Sequence, residues 1–397
     1  MNTCLEGEPN AQPLAPGFIG SGVAAGIKVN GKLDLALIYS EAACRAAGVF
    51  TSNLVKSAAV KISQSHLSES ASFHGVVLTS GNANAATGSE GLEGARLLCR
   101  TFAEVQNCQS TQVLICQTGL IGKPFPAAIG AAGVRKAARE LCASGGISAA
   151  RAMMTTDTKL KIASVKTPEF SVCAMAKGAA MLAPSMATML VVLTTDANAD
   201  RALLRESLSE AMDSSFHAMV VDGCRSTNDS VIVLANGLSA APITGAVCFN
   251  FKEAVRLVCE SLARQMAADA EGGTKLLVMK VSGGRTLTDA RLAARGVVSS
   301  ALVKCSLAGE SCYFGRVISE LGASGAVFNP DNVSIRYGAT LICRNGVAHP
   351  YDEGLMAQYL KNRTIEISAD LGAGSAEATA YGCDLTHGYV DENMGKS

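Results

Sequence analysis

Ala187 and Thr188 stand together inside KGAAMLAPSMATMLVVLTTDA, residues 177–197, a segment that otherwise reads as a buried strand with its lead-in. A threonine in a strand is ordinarily just a β-branched strand former. Here Lys177, Gly178 and Pro184 come before it, and the residue directly preceding it is small. A threonine hydroxyl can attack the carbonyl of its own preceding residue, moving the chain onto an ester that water then cleaves. The freed α-amine has a reference pKa of about 8, well below that of lysine, so one residue would supply nucleophile and base together. Thr118 and Gly119, in QTGLIG, offer a second piece of chemistry. A turn after a strand can aim a hydroxyl and a backbone N–H at one point, which a tetrahedral oxyanion requires.

Other chemistries are poorly supplied. GFIGSGVAAG, residues 17–26, spells GxGxxxG with no strand expected before it, so it is a weak dinucleotide loop. GxxxxGK[ST], GxSxG and HExxH are all missing, which removes the commonest phosphate, serine-hydrolase and zinc-protease readings. Fourteen cysteines are scattered through apolar segments without a CxxC pair, and the five histidines are isolated. Reduced core or near-core thiols are expected, with no metal.

The elements that must carry these residues alternate between α and β. LDLALIYS (33–40), GVVLTSGNANA (75–85), TQVLICQTGLIG (111–122), DSVIVLANG (229–237) and KLLVMKVSGG (275–284) read as strands. Helices are expected through GLEGARLLCRTFAEV (91–105), AAGVRKAARELCASG (131–145), SAARAMMTTD (148–157), DRALLRESLSEAMDSSF (200–216) and EAVRLVCESLARQMAADA (253–270). In the last, Val255, Val258, Cys259, Leu262 and Met266 share one helical face, and Gly272 and Gly273 stop it. Hydrophobic residues make up 48% of 397, enough for one large core or two moderate ones. Lys plus Arg and Asp plus Glu both total 34, and there is no tryptophan, so nothing recruits nucleic acid. The acidic N-terminal lead has the wrong polarity for a secretory signal, and Pro184 and Ser185 interrupt the longest apolar run. A cytoplasmic protein without membrane attachment is expected.

KGAAMLAPSMATML resembles the signature of the ornithine acetyltransferase family of arginine biosynthesis, whose precursor splits before the threonine of its M-A-T-M-L segment. GVAAGIK, SGNANAATG, QTGLIG, MTTDT, STNDSV, LANG, AEGGTK and CDLTHGYV are similar to family motifs in the same order, so the resemblance covers nearly the whole chain. It implies an α/β fold of mixed sheets packed with flanking helices, of the self-processing N-terminal-nucleophile type. It further implies an α chain of 1–187 and a β chain of 188–397, assembled as a heterotetramer with two of each.

The resemblance makes Thr188 the nucleophile, Thr118 and Gly119 the oxyanion hole, and Ala187–Thr188 the cleavage site. Thr155, Lys177, Thr188, Glu271, Asn393 and Ser397 match its substrate-binding positions. A lysine suits the carboxylate of an α-amino acid, and a glutamate suits the ammonium groups of ornithine. The activity implied is ping-pong transfer of an acetyl group from N2-acetylornithine to glutamate, with no metal or organic cofactor. No motif decides whether acetyl-CoA is a second donor. The chain departs from the family in three places. Ser397 follows Asn393 by only four residues with no aromatic between, CYFGR replaces the usual N-W-G-R, and Cys224 stands where an acid is common. Two other readings stay open: a self-cleaving amidohydrolase or aminopeptidase in which water replaces glutamate, and an uncleaved, non-catalytic homologue.

Overall fold

The computed structural model describes residues 5–6, 12–182 and 189–394. In chain order the elements begin β1 (Leu5–Glu6), β2 (Phe18–Val23), β3 (Leu35–Phe50), α1 (Ala58–Glu69), β4 (Phe73–Asn82), α2 (Gly88–Gln106), β5 (Val113–Leu120), α3 (Ala127–Arg139) and α4 (Gly146–Met153). They continue through β6 (Lys161–Lys166), β7 (Ser171–Lys177), β8 (Leu190–Asn198), α5 (Arg201–Ser214), β9 (Met219–Val220), β10 (Ser230–Pro242), α6 (Ala246–Ala268), β11 (Leu276–Gly284) and α7 (Leu287–Ser299). The last are α8 (Ala301–Ala308), α9 (Phe314–Ala323), β12 (Ser334–Tyr337), β13 (Thr340–Arg344), β14 (Val347–Ala348), α10 (Glu353–Leu360), β15 (Thr364–Asp370), β16 (Ala376–Cys383) and α11 (His387–Asn393). The chain divides into two compact units, one of Met1–Gly178, Ser185–Met212 and Arg225–Leu262, the other of Ala179–Pro184, Asp213–Cys224 and Ala263–Ser397.

The first unit is built on a mixed sheet in the order β1-β6-β7-β8-β10-β3-β4-β5, with β2 pairing β3 beside this path. Its strands are apolar on both faces, as a sheet covered on both sides must be. Ala36 and Ile38 of β3, Val76 and Leu78 of β4, and Leu114 and Cys116 of β5 join Ala149, Ala150 and Met153 of α4 in one core cluster. The alternate residues Leu35, Leu37, Val77, Val113 and Ile115 pack in another cluster with apolar residues of α1, α2 and α3. This two-residue period is the reason neighbouring side chains on one strand serve opposite layers. Phe170 and Phe251, both buried, meet edge to face at 5.4 Å.

In the second unit the sheet order is β14-β13-β12-β15-β11-β16-β9. Leu277, Met279 and Val281 of β11 and Ile365, Ile367 and Ala369 of β15 share one core with α7. Ala290, Ala293, Ala294, Val297 and Val298 of α7 fall at helical spacing and are fully buried there. The Thr286 side chain caps α7 by accepting from the Asp289 N–H at 3.1 Å.

The mixed α/β class expected from the sequence is the one observed. Several boundaries differ for local reasons. Within segment 177–197 the expected strand is β8, which begins at Leu190, while Lys177 ends the preceding strand β7. The glycine-rich 17–26 segment is itself mostly strand, β2. The helix expected over 131–145 starts earlier, directly after Pro126, and ends at Arg139. That expected over 148–157 stops at Met153 because the Asp157 carboxylate takes the Thr155 N–H. β3 runs well past Ser40, and β4 stops at Asn82, beyond which Asn84 and Ala86 turn the chain at positive φ. Val255, Val258, Cys259, Leu262 and Met266 are buried as their spacing demands. Cys142, Cys224 and Cys305 are exposed rather than near-core, and all thirteen described cysteines are free thiols. No helix among the described residues is long and apolar enough to cross a membrane.

Candidate active site

β4 and β5 run parallel and end together, Ser80 opposite Thr118 and Gly81 opposite Gly119. Gly119 has φ +132°, and a Cβ placed there would lie 2.3 Å from the Gly81 carbonyl carbon and 2.5 Å from the Asn82 nitrogen. Only glycine fits this approach. Three asparagines hold the corner. Asn82 donates to the carbonyls of Lys123 (3.3 Å) and Pro124 (3.0 Å), and Asn84 donates to the Gly91 carbonyl and the Gln117 side chain, both at 2.8 Å. Asn228 donates to the carbonyls of Ala83 (2.6 Å) and Gln117 (2.8 Å). The residue before Thr118 is thus fixed through both its main chain and its side chain.

Lys177, 2% exposed, closes the other side of this corner, its Nζ 3.5 Å from Thr118 Oγ1. By accepting there, the Thr118 hydroxyl keeps its own proton to donate elsewhere. Below Lys177 lies Asp157. Its Oδ1 accepts from Lys161 Nζ at 2.6 Å and from the Gly178 N–H at 2.7 Å, and its Oδ2 accepts from the Thr155 N–H at 3.0 Å. Burial opposes its charge, but Lys177, Lys161 and these hydrogen bonds prevail and hold the carboxyl well below the usual carboxylate range. Lys28 Nζ donates to the carbonyls of Leu33 (2.9 Å) and Met154 (2.7 Å). Burial lowers its pKa to about 8; Asp34 works against this, and repulsion from Lys177 adds to it. Lys28 and Lys177 thus repel one another beside the carboxylates of Asp34 and Asp157.

Thr118, Gly119, Thr155 and Lys177 therefore belong to one corner of the first unit. In the second unit Glu271 and Asn393 meet: Asn393 Nδ2 donates to Glu271 Oε2 at 2.9 Å and to the Tyr389 carbonyl at 2.8 Å. Glu271 lies in the turn after α6, and its N–H bonds the Ala179 carbonyl at 2.9 Å. At Gly272 (φ +64°) a Cβ would come within 2.1 Å of the Tyr389 nitrogen, so glycine is required for α11 to approach. Asp222 accepts the N–H groups of Met181 (2.6 Å), Leu182 (3.1 Å) and Cys224 (3.0 Å) and the Tyr389 hydroxyl (3.3 Å). Burial and this carboxylate raise the Tyr389 hydroxyl above its ordinary pKa. Arg316, retained in CYFGR, donates to the Leu302 carbonyl at 2.7 Å. Ala187, Thr188 and Ser397 lie outside the described residues.

The sequence reading did not single out Asp157, Asp229, Lys28 or Asn228. Each sits in a motif that was recognised: MTTDT, STNDSV and GVAAGIK. Nothing in a short polar side chain distinguishes turn chemistry from a buried anchor until its burial is known.

The fold and this corner define a mixed α/β protein in which a strand-end hydroxyl, a glycine and buried lysines converge. The ArgJ family model matches residues 20–395, and the chain belongs to that family. It is 45% identical over 386 residues to the arginine biosynthesis bifunctional protein ArgJ of Symbiobacterium thermophilum, covering 95% of this chain and 96% of that one. To the protein of the same name from Caldanaerobacter subterraneus subsp. tengcongensis it is 41% identical over 391 residues, covering 96% of each. The crystal structure of the Bacillus halodurans protein matches 51% of this chain and 96% of its own at 36% identity, with a TM-score of 0.49.

Two outcomes follow from this geometry. Gly119→Ala should cost about 2–3 kcal/mol through strain at a φ that alanine avoids, and should abolish transfer, read by thermal melting and steady-state assay. Asp157→Asn leaves Lys161, 1% exposed, without its counter-charge, and should destabilise by about 3–5 kcal/mol at neutral pH in urea titration. Since the folded pKa of Asp157 is depressed, its contribution is complete above about pH 4 and is lost only as the pH falls further. The gap between wild type and variant should therefore narrow only in strong acid.

Proposed function

We propose that this chain is a glutamate N-acetyltransferase of arginine biosynthesis that carries the acetyl group of N2-acetylornithine to glutamate as an ester on Thr188. The observation that carries this is the ArgJ family match across residues 20–395, and the gathering of Thr118, Gly119 and Lys177 at one corner supports it. The chain splits between Ala187 and Thr188 into an α chain of 1–187 and a β chain of 188–397. The freed amine, with a reference pKa of about 8, takes the Thr188 hydroxyl proton as the oxygen attacks the acetyl carbonyl. The Thr118 hydroxyl and the Gly119 N–H stabilise the oxyanion. Ornithine leaves with a proton from the amine; glutamate then attacks the ester and departs as N-acetylglutamate.

Lys177 takes the substrate carboxylate, and the second ammonium of Lys28 strengthens the field for it. Thr155, whose N–H is held by Asp157, contacts the substrate; Glu271 and Asn393 are assigned to the ornithine ammonium on the family pattern alone. Ser397 is assigned to substrate contact on the family pattern alone. Acetyl-CoA is the second donor in this reading, in keeping with the word bifunctional in the relatives' names. The scheme calls for no metal or organic cofactor, operates in the cytoplasm, and places two α and two β chains in the assembly.

Thr188→Ala should give one unbroken chain by intact mass under denaturing conditions and no acetyl transfer, whereas Thr188→Ser should still split. An active Thr188→Ala enzyme would sink the mechanism. Release of acetate at an equal rate with and without glutamate would point instead to the hydrolase reading.

A further inference from the structure

Lys28 lies in the loop between β2 and β3, and its main chain is anchored before its side chain begins. Its N–H donates to Asp34 Oδ2 at 2.8 Å, and the N–H groups of Ala25 and Gly26 donate to the same carboxylate at 2.6 and 3.0 Å. The Asp34 carbonyl in turn accepts the Ser80 N–H at 2.8 Å, which ties this loop to the end of β4. From there the lysine stem crosses Gly81: a Cβ on that glycine would lie 2.8 Å from Lys28 Cγ. Ser80 pairs with Thr118 and Gly81 with Gly119, so the stem runs along the strand end that is partnered by the candidate oxyanion hole.

At its far end the ammonium donates to the carbonyls of Leu33 and Met154, at 2.9 and 2.7 Å. Met154 is the C-cap of α4, and the last carbonyls of a helix have no partner within it. A cation placed there also meets the negative end of the helix dipole. Ser80 Oγ takes a second of these carbonyls, Ala152, at 2.6 Å. The end of α4 is therefore held to the end of β4 twice. The Met154 carbonyl and the Thr155 N–H belong to one peptide plane. Lys28 Nζ binds its oxygen, and Asp157 Oδ2 accepts its N–H at 3.0 Å. With a pKa of about 8 the amine is mostly protonated at neutral pH, so opposite charges grip the two ends of this peptide. It cannot rotate without breaking a charge-assisted hydrogen bond, and its orientation sets where the Thr155 side chain begins.

We propose that Lys28 is a positioning residue for substrate binding, locking the Met154–Thr155 peptide to the end of β4 and so fixing the Thr155 side chain relative to Thr118 and Gly119. The proposal rests on the reading of Thr155 as a substrate contact. Lys28 itself touches no reacting atom. Its charge adds to the field around Lys177, but two of its three N–H groups are committed to main-chain carbonyls, and one of those carbonyls belongs to the peptide that carries Thr155. The larger part of its effect therefore runs through Thr155.

The test is a double-mutant cycle of wild type, Lys28→Met, Thr155→Val and the pair, in steady-state assays that vary N2-acetylornithine at saturating glutamate. Each protein is assayed well below its own melting temperature. Methionine keeps the stem over Gly81 and removes the donors, while valine keeps the shape of Thr155 and removes its hydroxyl. Lys28→Met should raise KM by ~10-fold or more with kcat within about threefold, because lost binding appears in KM and a partly unfolded preparation in kcat. Thr155→Val should act in the same direction. The pair should fall within about threefold of the worse single variant, since the loosened peptide then carries no hydroxyl to misplace. If the methionine chain does not fold, Lys28→Gln, which offers an uncharged donor, takes its place in the cycle under the same criteria. A KM for the Lys28 variant within about twofold of wild type would overturn the proposal. So would losses that multiply in the pair, which would leave Lys28 acting through its field alone. A Thr155→Val enzyme with wild-type kinetics overturns the parent reading of Thr155 instead.

Discussion

One carboxylate sets the geometry on which the first unit's corner depends. Asp157 grips Lys161, the Thr155 N–H and the Gly178 N–H at once, tying the segment after α4 to the end of β7. A buried carboxylate is tolerable only with this much compensation, and the compensation positions the chain. Lys177 is held at the strand end immediately before Gly178, and Thr155 is drawn out of the helix it would otherwise extend. Lys161 and Lys177 together supply the charge that stabilises the Asp157 carboxylate.

The opposite wall depends on steric fit and on amide side chains rather than charge. Gly119 lies so close to the end of β4 that a Cβ there would strike the Gly81–Asn82 peptide. Asn84 and Asn228 bond buried main-chain carbonyls and a buried glutamine amide, and Asn82 ties the following turn to the strand end. The network fixes the strand end that carries Thr118 and Gly119, the preorganisation that the oxyanion-stabilising role proposed for them requires. Beside it, Asp229 accepts the Met189 N–H at 3.1 Å.

Periodicity carried much of the fold into view. The buried stripe of α6 and the strand β11 follow from side-chain spacing local to the sequence, whereas α6 ends at Ala268, before the Gly272 and Gly273 pair expected to stop it. β3 was legible only to Ser40, because Ser40, Glu41 and Ala42 break its apolar pattern at the point where its pairing with β4 shifts register. The candidate chemistry at Thr118, Gly119 and Lys177 could be named from residue type, and the structure places the three in one corner. The carboxylates behind them could not be read in advance, since Asp157 and Asp229 are both buried and what separates them is the charged partners each finds in the fold.

The central claim is that an acetyl group rests on Thr188 between donor and acceptor. The most direct measurement is the mass of the denatured protein after incubation with N2-acetylornithine and no glutamate. The account predicts a fragment beginning at Thr188 that carries one acetyl group, located on that residue by peptide sequencing and lost when glutamate is added. An unbroken, unacetylated chain that still transfers acetyl groups to glutamate would contradict it.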